Sequence, residues 1–231
     1  MTRENIRYSR LIASVMILLT AAGILSGAVG VPILCRQFYY MHITPLQIRL
    51  RCGLTEEQIR ETYNEVMDYC LGVTDNFELT HLIWSPEGAS HFADVRGLFI
   101  FDLAVFTICV ALLAALWVIC RTKKIKPHLF KGHTPGFWAA TGLLSFFLIV
   151  GGLAAVNFDV FFTAFHTVFF PGKDNWIFDF RTDPVIRMLP QVFFQNCALL
   201  VLALVVVCCV VLLVADWKFR KNHCLFCSKR A

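Results

Sequence analysis

The chain has 231 residues, of which 58% are hydrophobic and only 16% are charged, with a formal net charge of +5. A soluble domain carries roughly 25% charged residues, so this composition excludes an ordinary water-soluble protein. Crossing the hydrocarbon core of a bilayer takes about 20 apolar residues, and four stretches meet that need: 11–34, 97–120, 136–156 and 190–215. The sequence therefore predicts an all-α membrane protein with four transmembrane helices in a single integral membrane domain.

The first apolar stretch follows Arg3, Arg7 and Arg10, an arrangement that secretory signal peptides share. Its apolar run is longer than the core of a typical signal peptide and has no obvious A-x-A cleavage site. We interpret it as a retained membrane anchor. Gly23 and Gly27 within it form a G-x-x-x-G pattern, which is typical of a close-packing helix face.

The distribution of Lys and Arg predicts the orientation of the chain. Thirteen of these residues lie before the first span, in the loop 121–135 and in the tail 217–231, against eight in the segments 36–96 and 157–189. We expect both termini to be cytoplasmic and the segments 36–96 and 157–189 to form an extracytoplasmic cap over the outer leaflet. Because topology explains the net positive charge, no nucleic-acid partner is predicted.

Two helix starts are predicted in the first outer segment. Thr55 is a good N-cap, and Gln58 three residues later completes a capping box. Gly72 is a plausible stop for this helix, after an apolar stripe at Ile59, Tyr63, Val66, Met67 and Cys70. Ser85 followed by Pro86 predicts the start of a second helix, which continues into the second span.

His91 lies near the outer end of this second helix. It is six residues before Gly97, or about 9 Å above the apolar boundary at 1.5 Å per residue. Asp94, three residues further on, shares its helix face. A carboxylate in that position can hold an imidazole in one orientation, so we expect Asp94 to orient His91.

The second outer segment combines an aromatic helix with an ionisable loop. On a helical wheel over 157–170, His166 falls at the border of a phenylalanine face turned towards acyl chains, made of Phe158, Phe161, Phe162, Phe165 and Phe169. The loop that follows contains Trp176 and three carboxylates, which are costly near hydrocarbon unless paired or functional: Asp174, Asp179 and Asp183. Each of these residues has an ordinary explanation as an interfacial anchor or a cap. The presence of a histidine with a nearby aspartate in both outer segments favours a functional site formed by the two segments.

The ten cysteines carry weaker signals. Five lie in or beside apolar helices, where Cys behaves as a small hydrophobe: Cys109, Cys120, Cys197, Cys208 and Cys209. Cys52 and Cys70 could pair, which stays open. Cys224 and Cys227 form a C-x-x-C pattern in the tail. That pattern supplies only two of the four ligands of a zinc site, so incidental thiols are the simpler interpretation.

Two blocks of the sequence are similar to the bacterial lipoprotein intramolecular transacylases. They are S-H-F-A-D-V-R-G-L-F at 90–99 and F-H-T-V-F-F-P-G-K-D-N-W-I-F-D-F-R-T-D-P-V-I-R-M-L-P at 165–190. The second block is long and has no common lookalike, and the four-span layout extends the resemblance over essentially the whole chain. Two residues depart from the family pattern: Phe180 stands where Pro is expected, and Gln191 where Glu is usual. Both departures concern loop shape more than the histidines.

The resemblance implies an enzyme that moves the sn-2 acyl chain of a diacylglyceryl-lipoprotein to the α-amine of its own N-terminal Cys. It implies His91 and His166 as the essential residues, without cofactor or metal, in the bacterial cytoplasmic membrane with the site facing outwards. Two imidazoles with an ordinary pKa near about 6.5 suit this chemistry, since one can accept a proton while the other donates. We expect membrane lipid around the chain, acyl contacts from Phe162, Phe165 and Phe169, and support from Asp94, Asp174, Trp176, Asp179 and Asp183.

Three other functions stay open on the residues alone. A membrane thiol oxidoreductase would use the C-x-x-C pattern, but that pattern lies on the predicted cytoplasmic side. A metal-dependent membrane hydrolase could use the same histidines, although no HExxH-like pair is present. A lipid- or lipoprotein-binding module, or a transporter, would need no catalysis, and the nearly apolar spans disfavour transport. Oligomeric state is not predicted.

Overall fold

The fold is built from α-helices, as predicted. The computed structural model describes the backbone of residues 3–228 and the side chains of residues 6–222. It is 74% helical, with no β-strand in that described part. The helices there are α1 (Arg3–Leu34), α2 (Arg36–Tyr40), α3 (Ile48–Cys52), α4 (Glu56–Cys70), α5 (Pro86–Thr122), α6 (Pro135–Val156), α7 (Phe158–Phe169), α8 (Val185–Met188) and α9 (Gln191–Ser228).

Four of these helices are long and apolar enough to cross a membrane, namely α1, α5, α6 and α9. They contain the four predicted spans, apart from the first residue of the last one, Pro190, which immediately precedes α9. The predicted all-α membrane fold is therefore confirmed. The sidedness of the termini and the extracytoplasmic cap stay predictions.

The chain groups into two compact units. The first comprises Met1–Ala28, Ala104–Gly152 and Leu202–Ala231. Inside it, the predicted close-packing face is confirmed, because a Cβ at Gly23 would lie 3.3 Å from Cys109 Cβ and one at Gly27 would press on the Phe106 ring. The single-domain organisation stays a prediction.

The second unit comprises Val29–Leu103 and Leu153–Val201 and holds a large part of the buried core. The rings of Tyr39 and Tyr63 stack with centroids 3.8 Å apart. The Tyr39 hydroxyl donates to the backbone oxygen of Met188 at 3.0 Å, which ties α2 to α8. Neither short helix was predicted, and neither was α3, since elements of four or five residues are too short to show a hydrophobic period.

The predicted helix ends are confirmed. Thr55 and Gln58 form the reciprocal capping box of α4, and Gly72 follows that helix with a φ of 75°, a left-handed conformation that favours glycine. The Ser85 hydroxyl oxygen accepts from the Gly88 N–H at 2.9 Å, so it caps α5, which is continuous from Pro86 into the span.

The structure answers one of the two open questions about cysteines. Cys52 and Cys70 are both free thiols. The Cys52 thiol donates to the Ile48 carbonyl oxygen at 3.1 Å. The side chains of Cys224 and Cys227 lie outside the described residues.

Candidate active site

The second unit brings together the two histidines singled out in the sequence. His91 on α5 and His166 on α7 are 75 residues apart in the chain, yet their ring centroids are 5.9 Å apart with the ring planes tilted by 31°. Both side chains are buried, at 6% and 8% exposure. Two imidazoles at this separation can act on the same small group of reacting atoms.

His166 is fixed by its own helix and by the loop that follows it. Its Nδ1 lies 2.8 Å from the Phe162 carbonyl oxygen, which can only accept, so Nδ1 carries the proton and donates. The Trp176 ring stacks on the imidazole with centroids 4.4 Å apart and a tilt of 26°. Burial lowers the pKa of His166 below its ordinary value of 6.5, although the hydrogen bond to Phe162 acts in the opposite direction. The neutral ring therefore keeps a free lone pair on Nε2.

His91 sits among aromatic rings and lacks such an anchor. The centroids of Phe170 and Phe178 are 5.2 and 5.4 Å from that of its imidazole, both edge-on. Its buried Nδ1 has no hydrogen-bond partner within the described part of the chain. A buried polar atom that the protein itself leaves without a partner calls for an explanation, and a catalytic role is one.

Asp94 was expected to orient His91, but in the structure its hydrogen-bond partners are residues of the loop after α7. Its carboxylate accepts from Lys173 Nζ at 2.5 Å and from Asn175 Nδ2 at 3.1 Å. The Asn175 amide also reaches the Ser90 hydroxyl at 3.3 Å. Lys173 and Asn175 of the loop compete better than His91 for the Asp94 carboxylate, because Lys173 brings a full charge. Asp94 thus fastens the loop after α7 to α5.

Of the other predicted acids, only Asp183 is buried, at 4% exposure. It accepts from the Ser85 N–H at 2.8 Å and from the Ser85 hydroxyl at 2.7 Å, and so ties the loop to the first residues of α5. Asp179 is exposed and closes a local turn by accepting from the Arg181 N–H at 2.9 Å. Asp174 is exposed.

An apolar cavity of about 350 Å³ adjoins the two histidines, and both line it. Such a volume is in the range of small-ligand pockets. Phe162 and Phe165, two of the three predicted acyl contacts, line it together with Phe158, Phe161, Phe193 and Phe194. Phe169 does not line the cavity, and its ring packs on Phe165 with centroids 4.5 Å apart.

The cavity wall also includes two thiols, Cys70 and Cys197, and Cys70 is a poor nucleophile. Burial raises the pKa of Cys70 to about 12, although the positive charge of Arg96 acts in the other direction. Since the thiolate is the reactive form, this side chain packs as a small hydrophobe. Among the described residues, no group of three or more His, Cys, Asp or Glu side chains is placed to hold a metal ion.

Comparison with known proteins decides the family. The model of the lipoprotein intramolecular transacylase family, Lit, matches residues 12–194. The chain belongs to that family. It is therefore an enzyme, an intramolecular transacylase of lipoproteins, as the sequence blocks predicted.

Solved structures agree on the fold of this transacylase. The membrane-integral lipoprotein intramolecular transacylase of Bacillus cereus is 23% identical, with a TM-score of 0.84 over 95% of this chain and 99% of that one. A structure of the same protein with one histidine replaced by arginine gives a TM-score of 0.78, also at 23% identity, over 96% and 98% of the two chains. No curated protein matches the sequence.

Several residues around the site of the transacylase were missed by sequence reasoning. Lys173 and Asn175 lie inside the second sequence block, but nothing in their spacing predicts a contact with Asp94, about 80 residues away. Gln191, one of the two departures from the family pattern, donates to Asp159 of α7 at 2.5 Å. Nothing in the sequence indicates the tie between Asp183 and Ser85, because the two residues are 98 positions apart.

Proposed function

We propose that this transacylase moves the sn-2 acyl chain of a diacylglyceryl-lipoprotein to the α-amine of the same molecule's N-terminal Cys. The ester C–O bond to glycerol breaks, an amide C–N bond forms, and one proton passes from the amine to the glycerol oxygen. The products are an N-acyl group and a free glycerol hydroxyl on one lyso-lipoprotein. Ester to amide is downhill, so no second acyl donor is needed. The facing pair of buried histidines beside an apolar cavity is the observation that carries this proposal.

In this mechanism His166 moves the proton. Its Nδ1–H is held by the Phe162 carbonyl, so Nε2 is the atom that takes the proton from the attacking amine. Its lowered pKa keeps the ring neutral at pH 7, which a general base requires. The imidazolium then returns the proton to the departing glycerol oxygen.

His91 supports the oxyanion of the tetrahedral intermediate. Two imidazolium cations with centroids 5.9 Å apart would repel in a buried site, so His91 stays neutral while His166 is charged. A neutral imidazole still offers one N–H donor. Such a donor, placed in an apolar site before the reaction begins, stabilises developing negative charge well.

The apolar cavity holds the migrating acyl chain. Its phenylalanine wall accepts hydrocarbon and excludes water, and holding ester and amine of one molecule together replaces a bimolecular encounter. We place the site on the extracytoplasmic side of a bacterial cytoplasmic membrane, in accordance with the distribution of Lys and Arg.

Mass spectrometry of the lipoprotein N-terminal peptide tests this function. A diacylglyceryl-lipoprotein is co-expressed with wild type, His91→Ala or His166→Gln. We expect the acyl chain on the Cys amine with wild type. The rate should be lower by about 10²–10⁴-fold in His166→Gln, the usual contribution of general acid–base catalysis, and by about 10²–10³-fold in His91→Ala, the cost of losing one oxyanion donor. His42→Gln is a matched control, because His42 Nδ1 also contacts a carbonyl four residues earlier, at 2.6 Å, but His42 does not line the cavity. Unchanged diacyl lipoprotein with wild type would refute the proposal.

A further inference from the structure

The loop after α7 places an indole face against the histidine that moves the proton. Trp176 covers one side of the His166 ring, and Phe162 lies on the same imidazole with a centroid distance of 4.3 Å. The near-parallel stack of Trp176 puts the negative face of its π-system over the imidazole. Protonation of that imidazole creates a cation against an aromatic face, and tryptophan is the best of the aromatic side chains at stabilising one.

The loop does not hold Trp176 by packing alone. The indole N–H donates to the Lys173 carbonyl oxygen at 3.2 Å, which fixes the ring to its own turn. Gly172 has a φ of 73° and permits that turn. The side chains of Lys173 and Asn175 then bind Asp94 on α5, one helical turn after His91. The helix that carries one histidine thereby fixes the ring that stacks on the other.

We infer that Trp176 is a positioning residue for His166, stabilising the imidazolium that forms during acyl transfer, and that Asp94 acts through the loop to hold it there. The inference rests on the proposed function only in assuming that the His166 imidazolium forms during acyl transfer. The stacking of Trp176 on His166 does not depend on that function. The titratable group facing His166 from another helix is His91, whose charge would oppose that of His166. The pair of Asp94 and Lys173 carries opposite charges and is nearly neutral as a unit.

The direct test is an NMR titration of the full-length protein in nanodiscs, with isotope-labelled histidine and His166→Gln to assign the signal. Trp176→Leu keeps an apolar cover over the imidazole but removes the aromatic face. We expect its His166 protonation constant to fall about 2- to 30-fold, the range of a cation–π contact, and Trp176→Phe to restore most of it. Trp84→Leu is the control, because Trp84 is in edge contact with Phe77 and does not contact His166.

A His166 protonation constant that is unchanged or higher in Trp176→Leu would overturn the inference. If Trp176 only packed against the ring, its loss would leave the constant unchanged, or would raise it by letting water reach and solvate the imidazolium. Asp94→Asn should lower the constant in the same direction by a smaller factor, whereas Glu87→Gln, the same change at an exposed position of α5, should not. The titration is measured without substrate. A shift without any acyl transfer by wild type would therefore contradict the proposed function and leave the stack supported.

Discussion

Replacing Gly88 by alanine tests the contact that fixes the start of α5, the helix that carries His91. A Cβ at Gly88 would overlap with Asp183 Oδ1 and lie 3.0 Å from its Cγ and 3.3 Å from Phe178 Cε1. Asp183 cannot yield without giving up its two hydrogen bonds from Ser85. Gly88→Ala therefore separates the buried carboxylate from the helix start, or displaces the helix.

The magnitude follows from three contributions. Overpacking costs about 1 to 3 kcal/mol, and a lost hydrogen bond to a charged group costs about 1.5 to 3 kcal/mol. Replacing glycine by alanine inside a helix returns about 0.5 to 1 kcal/mol. The net loss of stability is about 2 to 5 kcal/mol. A shift of His91 by about 1 Å would also slow acyl transfer by about 10²-fold.

The assays are thermal unfolding in detergent and the initial rate of acyl transfer. Gly97→Ala is the matched control, because it makes the same substitution in the same helix where nothing lies within 4 Å of the added Cβ. It should keep the wild-type rate and unfold at the same temperature or slightly higher. Equal stability and rate for both variants would refute the assigned role of the Asp183–Ser85 contact.

Four further predictions concern the site, its cavity and the cysteines. Because the substrate α-amine must be unprotonated to attack and ordinarily has a pKa of about 7.7–8.0, kcat/KM is first divided by the unprotonated fraction of that amine at each pH. Burial lowers the pKa of His166, so the corrected kcat/KM should stay level as the pH falls from 7 past 6.5 and decline only at lower pH; a decline at or above 6.5 would contradict the neutral-base role. The same shift means that the unfolded chain takes up this proton first, so the free energy of unfolding should drop as the pH falls below 6.5. Phe165→Ala should raise KM roughly fivefold through about 1 kcal/mol of lost apolar contact, whereas Phe169→Ala, outside the cavity, should not; equal effects would argue against this cavity as the acyl site. Peptide mapping after brief alkylation should find exposed Cys35 modified and buried Cys70 protected, and rapid labelling of Cys70 would contradict the packing of α4.

The helix ends could be predicted from the sequence because their determinants are local. Thr55 and Gln58 are three residues apart, and Ser85 adjoins Pro86, so each cap is complete within one turn of chain. The transmembrane helices could also be predicted from the sequence, because the length of an apolar stretch is enough to identify them. The short helices were not, because their stability comes from tertiary contacts such as the Tyr39 hydroxyl on Met188.

The candidate site could be predicted only in part. The pairing of His91 with His166 followed from two blocks that share a residue pattern. The partner of Asp94 did not, because helical spacing identifies neighbours on one helix and carries no information about Lys173 in a distant loop. A helical wheel likewise placed Phe165 and Phe169 on one face, whereas only the fold shows that the cavity ends between them.

The central claim is that the acyl chain moves within one lipoprotein molecule, and a crossover experiment tests it most directly. Purified protein in nanodiscs receives two diacylglyceryl-lipopeptides together, one with a light peptide and light acyl chains, the other with both labelled by heavy isotopes. Fragmentation mass spectrometry then reads the acyl chain on each Cys amine. The account predicts N-acyl lyso-lipopeptides that are wholly light or wholly heavy. Products that join a heavy acyl chain to a light peptide would contradict it.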